Sequence, residues 1–220
     1  GDVYKRQVAE YTVALMLSLN RKIPRASWRT KDGNFSLHGL MGFDMHGKTA
    51  GIIGTGKIAK ILIHILKGFG MNILAYDLYP DYNFAREEKI VYTSLDELYH
   101  SSDIISLHCP LTEATKYLIN DYSISKMKDG VMIINTGRGQ LIHTNALIEG
   151  LKNKKIGSAG LDVYEEESEY FYEDQSDRII DDDVLARLLS FNNVIVTSHQ
   201  AFFTHEAMEN IAATTLQNIK

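Results

Sequence analysis

The stretch that decides the fold of this chain is Gly51-Ile52-Ile53-Gly54-Thr55-Gly56-Lys57-Ile58-Ala59. An apolar run at 49–53 predicts a buried strand, and the apolar spacing over 57–69 predicts a helix. Two glycines between them lack a Cβ, which permits a tight turn and a close approach of the backbone to a pyrophosphate. The phosphates would lie against N–H groups at the helix N-terminus, where the helix dipole favours anions. The stretch therefore predicts a dinucleotide site with contacts at Gly54, Gly56, Lys57 and Ile58.

A glycine-rich turn with a purely structural role would show the same pattern, since the chain contains 16 glycines. Asp77 favours the dinucleotide. It follows a second apolar run at 72–76, 23 residues after Gly54 (77 − 54). A carboxylate there can accept hydrogen bonds from the adenosine ribose hydroxyls and would repel a 2′-phosphate. Because Leu78 and not an arginine comes next, we predict NAD rather than NADP as the cofactor.

Composition narrows the class of protein. The 220 residues are 45% hydrophobic and 23% charged, as in an ordinary soluble globular protein. A formal net charge of −5 argues against nucleic acid or an anionic membrane as a partner. The single cysteine, Cys109, favours a reducing compartment, and no apolar stretch approaches the ~20 residues that span a bilayer. We predict a cytoplasmic enzyme without a metal site.

Strands and helices alternate along the chain. Strands are predicted at 49–53, 72–76, 104–108, 131–135, 158–162 and 194–197. Helices are predicted at 8–20, 57–69, 95–100 and 145–153, with a mixed connection over 21–47. Short apolar strands that alternate with helices indicate a parallel sheet covered on both faces. We predict an α/β fold with a Rossmann-type doubly wound parallel sheet.

Polar residues stand at or just after the ends of the predicted strands. They are Asp77, His108, Asn135, Asp162 and His199. The carboxyl ends of parallel strands meet at one edge of the sheet, where ligands bind in such folds. The pattern therefore predicts one shared site.

Three segments at that edge carry candidate chemistry. An arginine, Arg138, stands between glycines, where its planar guanidinium could clamp a carboxylate, although a solvated loop arginine is an equal alternative. Residues 160–167 end in three glutamates, of which we interpret Glu165 and Glu166 as an acidic solvent-exposed loop. His199 follows the last predicted strand, and a structural role is the more common one for such a histidine.

Further short stretches accompany the glycine loop in a fixed order along the chain. They are Val8-Ala9-Glu10, Asn34-Phe35-Ser36-Leu37, His46-Gly47-Lys48-Thr49, Lys67-Gly68-Phe69-Gly70 and Leu107-His108-Cys109-Pro110-Leu111-Thr112. By these motifs, residues 8–220 resemble the D-isomer-specific 2-hydroxyacid dehydrogenase family, most closely its fermentative D-lactate dehydrogenase branch. Residues 171–174 look like that branch in particular. Gly137 and His143 depart from the family, which usually has serine or alanine and aspartate at these positions.

The resemblance implies a role for each candidate residue. Arg138 would hold the substrate carboxylate and polarise its carbonyl, His199 would be the catalytic histidine, and Glu167 would pair with that histidine. Asp162 would lie near the nicotinamide. The cofactor contacts implied in addition to the glycine loop and Asp77 are Cys109, Pro110, Thr136 and Asp162.

The implied activity is NAD-dependent reduction of pyruvate to D-lactate. The chemistry is sensible for these residues, because a protonated His199 can give a proton to the carbonyl oxygen and Glu167 would raise the pKa of that imidazole. Two alternatives stay open: a dehydrogenase for another D-2-hydroxy acid, and a binding module similar to NAD-sensing co-repressors. The expected ligand is a 2-keto or 2-hydroxy acid.

The position of the glycine loop predicts the domain organisation. In the family this loop follows a substrate domain of roughly a hundred residues, whereas 53 residues precede Gly54 here. We therefore interpret the chain as a fragment with the substrate domain largely missing. The expected parts are a non-family segment at 1–7, the NAD-binding domain at 8–203 and a helix at 204–220 that returns to the substrate domain. The first helix and the Trp28 region would suit the interface of a homodimer or higher oligomer, with burial inside the chain as the alternative.

Overall fold

The computed structural model describes residues 5–166, 172, 174, 176 and 180–219, with residues 218 and 219 described by their backbone alone. Within this part of the chain, seven parallel strands form one sheet in the order β3-β2-β1-β4-β5-β6-β7. The strands are β1 (Thr49–Ile53), β2 (Asn72–Tyr76), β3 (Val91–Tyr92), β4 (Ile104–Leu107), β5 (Val131–Asn135), β6 (Ile156–Leu161) and β7 (Val194–Val196). The predicted α/β fold with a doubly wound parallel sheet is confirmed.

Helices connect the strands and flank the sheet. They are α1 (Lys5–Asn20), α2 (Ile23–Lys31), α3 (Lys57–Gly68), α4 (Tyr82–Glu88), α5 (Leu95–Ser101), α6 (Asp121–Lys126), α7 (Thr144–Lys152), α8 (Asp183–Leu189) and α9 (His205–Ile219), with a 3₁₀ turn at Gly139–Leu141. Of the helices that the structure describes, none combines the length and the apolar character needed to cross a membrane.

The strand order reverses at β1. The chain runs from β1 outwards to β2 and β3, then returns to β4 on the other side of β1 and continues outwards to β7. Such a reversal leaves a crevice outside the carboxyl ends of the two central strands, where ligands bind in open α/β sheets. Gly54 follows β1 and His108 follows β4, so the predicted glycine loop lies at this crevice.

Apolar layers cover both faces of the sheet. One layer is formed with α1 and α3, through residues such as Met16 and Leu62. The other is formed with α5, α6, α7 and α8, through residues such as Leu98 and Leu147. The apolar face of α1 is therefore buried inside the chain, as the alternative interpretation had it, and α1 begins at Lys5, three residues earlier than predicted.

Several elements differ from their predictions. The expected connection at 21–47 contains α2, a helix of 9 residues that buries none of its side chains. Strand β3 has two residues, too few for an alternating pattern to be recognised. Strand β6 begins at Ile156, two residues before its prediction, and ends at Leu161, one residue before it.

Candidate active site

The glycine turn after β1 requires its first glycine. Gly54 has φ +89°, a conformation that other residues rarely adopt, and a Cβ there would lie 2.5 Å from Cys109 N. Its N–H donates to Tyr76 O at 2.8 Å, which holds the turn against the end of β2. The backbone of the loop therefore approaches the loop after β4 with no room for a side chain.

Gly56, at the N-cap position of α3, leaves the helix N-terminus open. A Cβ built on Gly56 meets nothing within 4 Å. Gly56 supplies no side-chain cap to α3, and the first turn of the helix contains no acidic residue. The N-terminal N–H groups of a helix and its dipole attract phosphate. This end of α3 therefore fits the pyrophosphate of a dinucleotide.

Asp77 follows β2, and its carboxylate is held by several hydrogen bonds. Thr55 donates its N–H (2.6 Å) and its hydroxyl (3.0 Å) to Asp77 Oδ2, and Tyr79 N–H donates to Oδ1 (2.9 Å). Burial acts to raise the pKa of Asp77, but these hydrogen bonds and the charge of Lys60 outweigh it and hold the pKa below its ordinary value. The carboxylate is therefore ionised at neutral pH and oriented to accept hydrogen bonds from ribose hydroxyls.

Asp77 also lines a pocket of about 270 Å³ at the ends of β1 and β2. The pocket has a largely apolar wall. Its lining includes Ile53, Tyr76, Leu95, Pro110 and Leu118. An apolar pocket with a carboxylate on its wall suits an adenine ring and its ribose, and we call it the adenosine pocket.

A second cleft, of about 690 Å³, opens at the ends of β4 to β7. It brings together most of the predicted site residues. These are Ile58, Cys109, Pro110, Thr136, Arg138, Asp162 and His199. Cys109 and Pro110 line both cavities, and burial raises the pKa of the Cys109 thiol to about 11, so this shared wall is uncharged. We call this second cavity the catalytic cleft.

Arg138 lies in a turn after β5 that Asn135 stabilises. Asn135 Nδ2 donates to Arg138 O (2.9 Å), and Asn135 Oδ1 accepts from Gly137 N–H (3.0 Å). A Cβ on Gly139 would lie 1.9 Å from Tyr164 O, so the turn packs backbone to backbone against the segment after β6. The exposed Arg138 side chain lines the catalytic cleft. Nothing requires glycine at 137, since a Cβ there would come no closer than 3.5 Å to its neighbours.

Asp162 holds the turn that carries His199. The fully buried carboxylate accepts hydrogen bonds from Thr197 Oγ1 (2.6 Å), Gln200 N–H (2.9 Å) and Ala201 N–H (2.8 Å). His199 N–H donates to Asp162 O at 2.7 Å, and His199 has φ +54°. A non-glycine residue in this region is uncommon and occurs where the surrounding structure enforces it. Asp162 therefore positions His199 in addition to lining the cleft.

His108 also lines the catalytic cleft but is suited to a different role from His199. Its Nε2 lies 2.8 Å from Ser106 Oγ. Burial lowers the pKa of His108 to about 4, so its imidazole is neutral at neutral pH. A neutral imidazole is a poor proton donor, which leaves His199 as the candidate acid of this cleft.

Glu165 is not the solvent-exposed residue that the sequence suggested. It is half-buried, and its Oε2 accepts hydrogen bonds from Thr144 N–H (3.3 Å) and Thr144 Oγ1 (2.8 Å), while Tyr117 OH donates to its Oε1. The physical reason is that His143, at the N-cap of α7, supplies no side-chain cap, and Glu165 provides the missing acceptor. Glu166 is exposed, as expected.

Contacts between α1 and the catalytic cleft were missed by the sequence analysis. Thr12 Oγ1 donates to Val8 O (2.8 Å), so Thr136 Oγ1 donates to Thr12 Oγ1 (3.0 Å). Val8 and Phe202 also line the cleft. Val8, Thr12 and Phe202 do not directly follow a strand of the sheet, and they reach the site only through tertiary packing.

The remaining predicted residues are placed as follows. Gly54 and Asp77 line the adenosine pocket, and Gly56 and Lys57 lie at the start of α3. Glu167 lies outside the described residues, as do Phe171 and Glu173. Among the residues that are described, no three His, Cys, Asp or Glu side chains are grouped to hold a metal ion.

Known proteins share this chain's sequence and fold. Residues 13–201 match the family described as "D-isomer specific 2-hydroxyacid dehydrogenase, NAD binding domain". The D-lactate dehydrogenase of Escherichia coli K12 is 55% identical over 212 residues, which cover 96% of this chain and 64% of that protein. The chain thus spans less than two thirds of the length of this relative.

Solved structures show the same similarity. One, titled for the pyruvate reductase of Chlamydomonas reinhardtii, has a TM-score of 0.94 and 46% identity, covering 98% of this chain and 65% of the other. Another is a structure of D-lactate dehydrogenase from Aquifex aeolicus complexed with NAD and lactic acid. It has a TM-score of 0.88 and 37% identity, and the match covers 97% of this chain and 65% of the other. The predicted cofactor, NAD, is confirmed as that of the matched domain. The chain therefore belongs to the D-isomer-specific 2-hydroxyacid dehydrogenase family, and residues 13–201 match its NAD-binding domain.

Proposed function

We propose that this chain carries the cofactor site and the catalytic side chains of an NAD-dependent D-lactate dehydrogenase that reduces pyruvate. The observation that carries the proposal is the catalytic cleft. It places the cation Arg138 and the imidazole of His199 in one cavity with Ile58, which belongs to the first turn of the phosphate-binding helix. A 2-keto acid bound there would have a partner for its carboxylate and a proton donor for its carbonyl oxygen.

Each side chain then has a definite task. Arg138 binds the substrate carboxylate through its planar guanidinium and orients the carbonyl. His199 as an imidazolium holds a proton at the carbonyl oxygen, and Glu167 stabilises the charged imidazole. Bound NADH supplies the hydride for C2. Asp162 keeps the His199 backbone in place through its hydrogen bonds to the turn.

The relatives support this choice of substrate. The Escherichia coli relative is named D-lactate dehydrogenase, and the Chlamydomonas structure is titled for a pyruvate reductase. A dehydrogenase for another D-2-hydroxy acid is the second candidate, since the cleft shows how a carboxylate and a carbonyl would be held but not what surrounds the substrate's side chain. A co-repressor-like NAD sensor is less well supported, because sensing requires neither Arg138 nor His199 in the cofactor cleft.

Two measurements test the proposal. NADH titrated into the 220-residue chain, followed by nicotinamide fluorescence, is expected to bind, and pyruvate turnover is measured on the same sample. In the full-length enzyme, His199→Ala is expected to lower kcat by about 10²–10⁴-fold, the usual contribution of a general acid, while NADH affinity is kept. Loss of NADH affinity and turnover in equal measure would instead assign His199 a structural role.

The organisation of the whole protein is part of the same proposal. We assign 8–203 to the NAD-binding domain and 204–220, largely α9, to a helix that returns to the substrate domain.

We also propose a homodimer or higher oligomer. Large apolar side chains are exposed together on α2 and the segment after it: Ile23, Trp28, Phe35, Leu37 and Met41. Sedimentation equilibrium of the full-length protein, with Trp28→Lys as the variant, tests the assembly. A cytoplasmic location stays a prediction.

A further inference from the structure

Two charged residues beside the adenosine pocket, Lys60 and Asp81, have no role in the function proposed above. Lys60 is on the first turns of α3, and Asp81 is the N-cap residue of α4. Lys60 Nζ lies 2.5 Å from Asp81 Oδ2, and it also lies 4.9 Å from the centroid of the Phe84 ring. Both side chains are partly exposed, so this pair is not a core element of the fold.

Hydrogen bonds connect Asp81 to Asp77, the ribose-binding carboxylate. Asp81 N–H donates to Tyr92 OH at 3.2 Å, and Tyr92 OH lies 2.7 Å from Thr55 Oγ1. Since the Thr55 hydroxyl donates to Asp77 Oδ2, Tyr92 is the donor to Thr55. The series of hydrogen bonds from Asp81 through Tyr92 and Thr55 to Asp77 therefore fixes the start of α4 next to the ribose position.

The charge of Lys60 acts on this position. It contributes to the lowered pKa of Asp77, in addition to the hydrogen bonds that Asp77 accepts. Lys60 pairs with Asp81, and Asp81 is connected to Asp77 through Tyr92 and Thr55, so the Lys60 ammonium could bind a phosphate on the 2′-oxygen of the ribose. Asp81 opposes this, since its carboxylate neutralises Lys60.

We propose that Asp81 is a specificity-determining residue for the cofactor: it holds Lys60 away from a 2′-phosphate and so excludes NADP independently of Asp77. Asp77 repels the phosphate directly, and Asp81 removes the cation that would compensate for that repulsion. The inference rests on the proposed function only in that the adenosine pocket binds NAD.

The structure offers a conservative variant for the test. Asp81 Oδ1 accepts from Phe84 N–H at 3.0 Å as the cap of α4. Asparagine is an equally good N-cap residue, so Asp81→Asn keeps the helix cap and removes only the charge. A matched control is Asp129→Asn, which breaks the 2.8 Å pair with Lys155. Asp129 and Lys155 lie just before β5 and β6, at the opposite edge of the sheet.

The experiment compares NADH and NADPH affinities of the 220-residue chain by fluorescence titration. Asp77→Ser removes the direct repulsion and is the reference background. Adding Asp81→Asn is expected to tighten NADPH binding about tenfold, the effect of one new charge-assisted hydrogen bond, with NADH affinity little changed. Adding Asp129→Asn to the same background should leave both affinities unchanged, and adding Lys60→Met to the Asp77→Ser/Asp81→Asn variant should abolish the gain.

The outcomes separate this inference from the proposed function. Equal NADPH affinity of Asp77→Ser with and without Asp81→Asn, in a chain that binds NADH, overturns the role of Asp81 alone. A gain that survives Lys60→Met also overturns it, because the cation would not be Lys60. Failure of the unsubstituted chain to bind NADH overturns the proposed cofactor site, and this inference with it. Thermal unfolding of each variant confirms that it is folded.

Discussion

The adenosine pocket and the catalytic cleft share the wall formed by Cys109 and Pro110 but are constructed differently. On the cofactor side, the determining features are backbone features: Gly54, which lines the pocket in a conformation closed to other residues, and the nearby N-terminus of α3, where Gly56 supplies no side-chain cap. At the cleft, the determining features are side chains on turns, and the exposed Arg138 is the clearest case. Cofactor binding should therefore be most sensitive to added atoms, and catalysis to removed functional groups.

The largest effect is expected for Gly54→Ala. The methyl group would lie 2.5 Å from Cys109 N, and the residue would keep φ +89°. The left-handed conformation and the collision together should lower the free energy of unfolding by roughly 2–5 kcal/mol, with loss of NADH binding. Urea unfolding and NADH titration measure the two effects.

Gly56→Ala is the matched control for that variant. Its Cβ meets nothing within 4 Å, and alanine is a poorer N-cap residue than glycine, so the free energy of unfolding should fall by no more than about 1 kcal/mol. The methyl group would project into the space left for the pyrophosphate, so the main loss should be in NADH affinity. A large stability loss in Gly56→Ala, or none in Gly54→Ala, would contradict this account of the turn.

An intermediate effect is expected for Asp162→Asn, on the cleft side. An amide keeps one acceptor oxygen where the carboxylate has two, so at least one of the three donors on the His199 turn loses its partner. We expect a loss of about 1–3 kcal/mol in the free energy of unfolding, the cost of one unsatisfied buried group. Chemical denaturation measures it, with the exposed Asp44→Asn as the control. If both variants unfold at the same urea concentration, Asp162 does not hold the turn.

The smallest effect is the pH dependence that Asp77 contributes. Its pKa in the folded chain is below the ordinary value of 3.8, so the ionised form stabilises the fold. That contribution is complete above the unfolded pKa and is lost as the pH falls through the lower folded pKa. The stability difference between the unsubstituted chain and Asp77→Asn should therefore be constant from pH 7 to pH 5 and shrink below about pH 4. A stability difference that grows on acidification would contradict this prediction, because it would mean that folding raises the pKa of Asp77.

The sequence predicted more of the adenosine pocket than of the catalytic cleft. The glycine loop was predictable, because the backbone geometry at Gly54 restricts which residue can occupy it, and Asp77 was predictable from its position after the second apolar strand. The polar residues at the strand ends were predictable as a group, since a parallel sheet brings its carboxyl ends to one edge. Asn135 is the instructive member: its position was predicted, but its task of holding the Arg138 turn was not.

Contacts between distant segments were not predictable. Tyr92 lies on a strand of two residues, and Asp81 is 21 residues from the lysine it pairs with. Glu165 was mistaken for a solvated residue, because nothing in its own neighbourhood indicates that α7 lacks a cap. Each of these depends on which segments the fold places side by side, and a local pattern does not contain that information.

The contact at Gly139 has a consequence for any redesign of the Arg138 turn. The backbone of the Arg138 turn touches Tyr164 with no side chain between them. A library that randomises position 139 would consist almost entirely of misfolded members, whereas position 137, two residues away, accepts small side chains. A redesign of the cleft should therefore keep the Arg138 turn and residues 164–165 together and place diversity around them.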